Sequence, residues 1–447
     1  MSHCGRALLA TTLFLWQVAS AAAWDTSYWV WNRSQPLTET ERTALRAQKV
    51  RTLFWQAGEL ENSGATWRWR SRLAVPAADP DFRFVPVLRL VSAERDPFSA
   101  PSTNALLAAI GPLAQTSSEL QIDFDCPDRL IPDYARALRQ IHSLVPRLSI
   151  TALPSWSRAA CLRTLEPCVD ELLPMLYDFQ PDPPIDGDTH RPLPLLAPEK
   201  LQGQLAAWND CKIAWRAGLP TFARVTIFSA DGKSRGHLRV WNWDDLSFNP
   251  ALRPLGDTAL GLTLFRAAGN ARLGNTAVKD GDYIATRVPD RIALGQAVAA
   301  AEKTTARGVT FFRLPDGTDP SGFSLPQLGD LQAHVPNFVL RKSGAHGLAL
   351  ANESAADLEP RLAGYSLEIE APAAIFREAL PGDFPSVAAE AGSARVSVVL
   401  GTRLRFSFSH LRAGEALRTG LIQLAPGTDF RQLRYRIDRG EWKRIEE

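Results

Sequence analysis

The stretch Leu120–Leu130 reads LQIDFDCPDRL. Leu120, Ile122 and Phe124 alternate with Gln121, Asp123 and Asp125. Alternation with period two marks a β-strand, because successive side chains of a strand point to opposite faces. One face of this strand is therefore wholly apolar, and the other carries two acids. Where those acids point depends on what the strand belongs to, so the reading moves outward to its neighbours.

Seven further runs have strand character: Ser27 to Asn32 (SYWVWN), Val50 to Trp55 (VRTLFW), Phe82 to Leu90 (FRFVPVLRL), Leu148 to Leu153 (LSITAL), Leu172 to Phe179 (LLPMLYDF), Thr221 to Phe228 (TFARVTIF) and Gly308 to Leu314 (GVTFFRL). Amphipathic stretches separate most of them: Thr38 to Gln48, Ser102 to Gln115, Ile131 to Leu144, Pro198 to Trp208 and Asp290 to Thr305. Eight strands alternating with helices predict a (β/α)8 TIM-like barrel over residues 24–325. A doubly wound open sheet fits less well, since no glycine-rich phosphate loop follows the first strand. Residues 231–289 hold WNWDD, LGLTLFRA and DYIATRV, too much for one loop and helix, and read as an insertion after the seventh strand. Beyond DGTDPSGFSLP, a turn-rich linker, residues 330–447 carry short alternating runs (GLALAN, YSLEIEA, ARVSVVL, LRFSFSH, LRYRI) and predict an all-β sandwich.

In a barrel the apolar row of Leu120, Ile122 and Phe124 faces the helices, so Gln121, Asp123 and Asp125 face the interior. Asp125 comes last and lies nearest the C-terminal mouth, where barrel active sites sit. Asp123 is one step deeper, where an inward charge must be paired or used. Arg89, at the end of the third strand, is its expected partner. A second constellation closes the sixth strand, where Met175, Tyr177 and Asp178 form MLYD. Aromatics gather near predicted strand ends: Trp29 and Trp31, Trp55, and Trp156. Acids between aromatic faces suit a sugar, whose C–H faces stack while its hydroxyls hydrogen-bond. Thirteen Trp against six Tyr tilts the reading toward ligand stacking, although tryptophans also fill cores.

Two resemblances rest on these residues. LQIDFDCP, with DYARALRQI, LSITALPSW and YDF, resembles a secreted bacterial family known as domain of unknown function 3142. More distantly, the chain resembles chitinase-type glycoside hydrolases, whose fourth strand carries D-x-x-D-x-D-x-E and whose sixth carries M-x-Y-D. Asp123 and Asp125 match the second and third aspartates, and Met175, Tyr177 and Asp178 match M-x-Y-D. The first aspartate falls on Leu120 and the glutamate on Pro127, which cannot donate a proton. The resemblance thus implies a glycoside-hydrolase-like barrel without the chitinase proton donor. Asp125 and Asp178 are the candidate acids, with Glu59 as a third. Asp123 and Tyr177 would complete the catalytic set; Trp31, Trp55, Arg89, Trp156 and Met175 would bind a polysaccharide or oligosaccharide. Loss of the glutamate is also how such a barrel would become a carbohydrate-binding or structural envelope protein.

The rest of the sequence sets the compartment and excludes other chemistry. MSHCGR, the apolar ALLATTLFLWQVA and Ala21-Ala22-Ala23 read as a cleavable signal peptide over residues 1–23, which predicts a periplasmic or secreted protein. No later run has the apolar length of a transmembrane helix. Apart from Cys4 there are four cysteines, an even number that in an exported chain suggests disulfides. Cys126 and Cys161 follow adjacent strands, and Cys168 and Cys211 precede strands, which predicts those two pairings. A net charge of +2 and scattered arginines give no case for nucleic acid. No H-E-x-x-H or phosphate loop occurs, so neither a metal nor a cofactor is expected.

Overall fold

A computed structural model describes residues 24–177, 184–185, 193–255, 261–316, 322–361, 363–373, 375–389 and 401–446. Eight parallel strands form the central element: β1 (Asp25–Val30), β2 (Thr52–Ser63), β3 (Arg83–Ser92), β4 (Glu119–Asp123), β5 (Arg147–Ala152), β6 (Glu171–Pro174), β7 (Ala214–Pro220) and β8 (Gly308–Phe312). They pair in chain order, and β1 pairs with both β2 and β8, which closes the barrel. Closure leaves no parallel edge exposed.

The opening stretch behaves as its alternation requires. Leu120, Ile122 and Phe124 lie in one core cluster with Tyr134, Leu138 and Ile141 of the helix Ile131–His142. Gln121 points the other way, into the barrel. Local sequence starts the helices. Thr38 and Glu41 form a capping box at the helix Glu39–Ala47: the Glu41 N–H donates to Thr38 Oγ1 at 3.2 Å, and the Thr38 N–H to Glu41 Oε2 at 2.7 Å. Between β2 and β3 the chain makes an antiparallel hairpin strand, Thr66–Arg72.

The seventh barrel strand corrects the sequence reading. It is AWRAGLP, Ala214–Pro220, and not TFARVTIF. Arg224–Phe228 instead joins a five-stranded antiparallel sheet with Ser234–His237, Tyr283–Arg287, Leu262–Ala267 and Leu252–Pro254. That inserted sheet has its own core of Val225, Ile227, Trp241, Trp243, Phe265 and Ile284. WNWDD is not a strand: Asn242 accepts from the Asp245 N–H at 2.7 Å and caps the short helix Trp243–Ser247.

The C-terminal region is an antiparallel β-sandwich. One sheet holds Phe338–Ser343, Gly347–Asn352 and Ala416–Arg418. The other holds Ser386–Ala389, Arg403–Phe408, Tyr365–Glu370, Arg434–Ile437 and Lys443–Arg444. Leu350, Leu367, Ile369, Phe406 and Tyr435 fill the space between the sheets. The expected strand ARVSVVL lies outside the described residues, as does the leader. The Asp357 carboxylate accepts from the N–H groups of Ser324 and Ala413, each at 2.8 Å, and ties the sandwich to the segment after β8. No described helix is long and apolar enough to cross a membrane.

Candidate active site at the barrel mouth

The barrel interior is filled from the bottom. At the N-terminal end Arg216 of β7 is fully buried and donates to Asp25 of β1 at 2.6 Å and to Glu171 of β6 at 2.7 Å. Above it Trp29 spans the barrel, and its indole N–H donates to Gln121 Oε1 at 2.6 Å. The indole lies over Gly218, where a Cβ would come within 2.9 Å of the ring and 2.8 Å of the Pro174 carbonyl oxygen. Only glycine allows this approach. Phe54, Val85, Val87 and Leu173 complete the layer, so the open space lies above it, at the C-terminal mouth.

Asp123 closes β4 at this level. Strand register sets it beside Arg89 of β3, which in turn is beside Glu59 of β2. The expected Asp123–Arg89 ion pair is not made. Arg89 approaches Glu59 instead, at 3.7 Å, and Glu59 also accepts from Arg70 at 2.9 Å. A bulge in β2 causes this. Gly58 has φ 152°, and a Cβ there would meet the Ser71 carbonyl oxygen at 2.3 Å, so the glycine allows the strand to kink and present Glu59 to Arg89. Asp123 is left with a neutral partner, accepting from Thr151 Oγ1 of β5 at 2.8 Å.

The strand ends at Asp123, and Asp125 sits on the turn beyond it, exposed at the rim. The Cys126 N–H donates back to the Phe124 carbonyl at 2.7 Å, and Phe124 packs edge-on against Phe98 and Tyr134. The turn that carries Asp125 is thus pinned from behind. Burial pushes the Asp123 carboxyl up to about 6, the negative charge of Asp125 adds to this, and Thr151 and Arg89 oppose it. Burial also raises Asp125, again against Arg89. A half-buried carboxyl that titrates near 6 beside a second carboxyl is equipped to give and take a proton near neutral pH.

The other side of the mouth is aromatic. Tyr177 stacks on Phe312 at 5.9 Å, and Trp31 and Phe222 meet Phe312 edge-on, each at 5.6 Å. All four are half-buried. Met175, bridged to Gly218, packs beneath them. Phe222 and Phe312 were not among the residues expected from sequence. Phe222 follows the true β7, so a correct seventh strand would have shown it, and Phe312 ends β8 on the inward face, where alternation along the strand read as GVTFFRL could have found it. Asp178 lies outside the described residues.

Trp55 and Trp156 are corrections. Both are fully buried in the shell between strands and helices, away from the mouth. Trp55 lies on the outward face of β2, its N–H donates to the Arg33 carbonyl at 3.2 Å, and the Arg33 guanidinium covers its ring. Trp156 folds against Tyr134. They are core residues and not sugar platforms. Cys126, Cys161, Cys168 and Cys211 are free thiols in this structure. Cys168 contacts Arg139 and the Thr164 carbonyl, and Cys211 contacts the Ile213 carbonyl. Among the described residues no group of three or more His, Cys, Asp or Glu side chains is placed to hold a metal ion.

No family model matches the chain, and no curated protein matches it in sequence. Solved structures do match. The C-terminal domain of a proposed chitinase from Desulfitobacterium hafniense is similar at 12% identity and TM-score 0.47, over 69% of this chain and 98% of that one. A chitinase from Chromobacterium violaceum is similar at 13% identity and TM-score 0.42, over 66% and 95%. A spore cortex-lytic enzyme from Bacillus megaterium is similar at 12% identity and TM-score 0.42, over 66% and 72%.

Proposed function

We propose that this barrel is an exported glycoside hydrolase acting on a polysaccharide, with Asp123 as the proton-transferring carboxyl. One observation carries the reading: Asp123, whose carboxyl burial pushes up to about 6, lies beside Asp125 at the mouth with a hydroxyl as its hydrogen-bond partner and no cation in direct contact among the described residues. In glycoside cleavage one carboxyl protonates the leaving oxygen while a second serves as base or nucleophile. Asp123 suits the first role, because a raised pKa keeps it protonated at mildly acidic pH. Asp125, at the rim, suits the second. Trp31, Phe222, Phe312 and Tyr177 would stack on sugar faces and hold the bond against the acids. This exchanges the roles that position alone suggested, with the deeper acid carrying the proton. The signal-peptide character of residues 1–23 supports a substrate outside the cytoplasm.

A second reading, binding without hydrolysis, is favoured by Pro127, where the chitinase pattern has its proton donor. One experiment separates the two. The purified chain is incubated with a panel of polysaccharides at pH 5 to 8, and reducing ends and binding are both measured for wild type, Asp123→Asn and Asp125→Asn. Hydrolysis lost in Asp123→Asn with binding retained supports the enzyme. Binding without any release of reducing ends supports the second reading.

A further inference from the structure

One row of side chains crosses three strands at the barrel mouth. Strand register sets Glu59 of β2 beside Arg89 of β3, and Arg89 beside Asp123 of β4. Neighbouring strands lie about 4.8 Å apart, so Arg89 starts from a backbone position near both carboxyl groups, and its long side chain reaches either. It leans to Glu59, and the contact is loose. Arg89 Nη1 lies 3.7 Å from Glu59 Oε2, beyond hydrogen-bond range. The other oxygen of Glu59 accepts from Arg70 Nη1 at 2.9 Å, so Glu59 is satisfied without Arg89. Among the described residues the Arg89 guanidinium makes no hydrogen bond, and its side chain is 42% exposed, which leaves it room to turn.

Asp123 gains a charge in the reaction proposed above. As the bond to the leaving group breaks, its electron pair stays on the departing oxygen, and the Asp123 proton moves to that oxygen. The carboxylate left behind has few ways to offset its charge. Asp125, two residues on, faces it with a like charge. Thr151 of β5 offers one hydroxyl. Tyr134, behind the turn, is held protonated by burial. Glu59 adds negative charge from β2, met in part by Arg70 of the hairpin strand. Arg89 is the described cation whose charge favours the ionised form of both Asp123 and Asp125. Moving from Glu59 to Asp123 would exchange a long, partly exposed pair for a charge-assisted hydrogen bond to a newly ionised carboxylate. On the reading of Asp123 as the proton carrier, we propose that Arg89 is the mobile counter-charge of this site. It is a positioning residue that leans to Glu59 while Asp123 is protonated and swings to Asp123 once that proton has left.

The test follows the Arg89 Nε signal of the full chain by NMR through the Asp123 titration, without substrate, with Arg89 assigned by its absence in Arg89→Gln. The expected result is an inflection of the Arg89 signal at the midpoint of the Asp123 carboxyl, wherever that midpoint falls. The inflection should vanish in Asp123→Asn and persist in Asp125→Asn. Glu59→Gln releases Arg89 toward Asp123, so it should lower the Asp123 midpoint. With Arg89→Gln already present the same change should have roughly half the effect or less, which separates the swing from direct repulsion between Glu59 and Asp123. Arg89→Lys keeps the charge without the fork, and should hold the Asp123 midpoint nearer to wild type than Arg89→Gln does. An Arg89 signal that stays flat through the Asp123 titration, an inflection that survives Asp123→Asn, or an equal effect of Glu59→Gln with and without Arg89 would overturn the swing and leave the role of Asp123 untouched. Hydrolysis that survives Asp123→Asn would instead remove that role, while an Arg89 signal that tracks Asp123 would still establish the swing.

Discussion

The floor and the mouth of this barrel use the same side chains to opposite effect. At the floor two carboxylates, Asp25 and Glu171, close on one fully buried guanidinium, Arg216. At the mouth, among the described residues, Asp123 has only a hydroxyl for a direct partner, and the nearby guanidinium, Arg89, is drawn toward Glu59. A charge at the floor is compensated where it stands, so it locks the strands in register. A charge at the mouth is not, so its proton becomes exchangeable in the pH range where an acid–base group works. The difference comes from register and one bulge, since the strands supply acids and arginines at both ends.

The largest expected effect lies at the floor. Arg216→Ala removes the shared partner of two carboxylates and should cost about 3 to 5 kcal/mol, the usual cost of breaking a buried pair. Chemical denaturation would measure it, and a loss below about 1 kcal/mol would mean that the floor cluster is solvated.

Asp123→Asn should do the opposite. The folded chain holds this proton up to about 6 against an ordinary value of 3.8, so between those two pH values it binds more protons than the unfolded chain. Wild-type stability therefore falls as pH rises through that window and stays lower above it. The neutral variant escapes this loss and should be about 1 to 3 kcal/mol more stable than wild type at pH 7.5, with little difference at pH 4. Thermal melts at the two pH values give the comparison. Thr151→Val comes next. It removes the hydroxyl that favours ionised Asp123, so the midpoint of the Asp123 titration should move further up and stability above it should drop by about 1 kcal/mol. Arg89→Gln should have the smallest effect. It should raise Asp123 and Asp125 together and change stability by no more than about 0.5 kcal/mol, because the arginine is partly exposed and its ion pair is long; the same titration and melts would show it.

Much of this comparison was legible in the sequence, for reasons that individual residues make plain. In β4 one row is apolar and one polar, so the inward face of Asp123 could be read directly. In β2 both rows are apolar, with Leu53 and Trp55 on one and Phe54 on the other, so alternation could not say that Trp55 faces the helices. The true seventh strand was hidden because Ala214, Ala217, Gly218 and Pro220 have weak strand preference. Its composition serves packing, since Gly218 leaves room for the Trp29 indole. The Asp123–Arg89 adjacency followed from neighbouring strands, but the bulge at Gly58 that diverts Arg89 to Glu59 has no local signature strong enough to read.

The titration of Asp123 tests the central claim most directly. Aspartate side-chain carboxyl carbons would be followed by NMR from pH 3 to 8, with Asp123 assigned by its absence in Asp123→Asn. A midpoint near 6, moving down in Asp125→Asn as the neighbouring negative charge is removed, is the result expected. A midpoint near the ordinary 3.8, unmoved by Asp125→Asn, would mean that the mouth acid is as fully compensated as the floor and would contradict the assignment of Asp123 as the proton carrier.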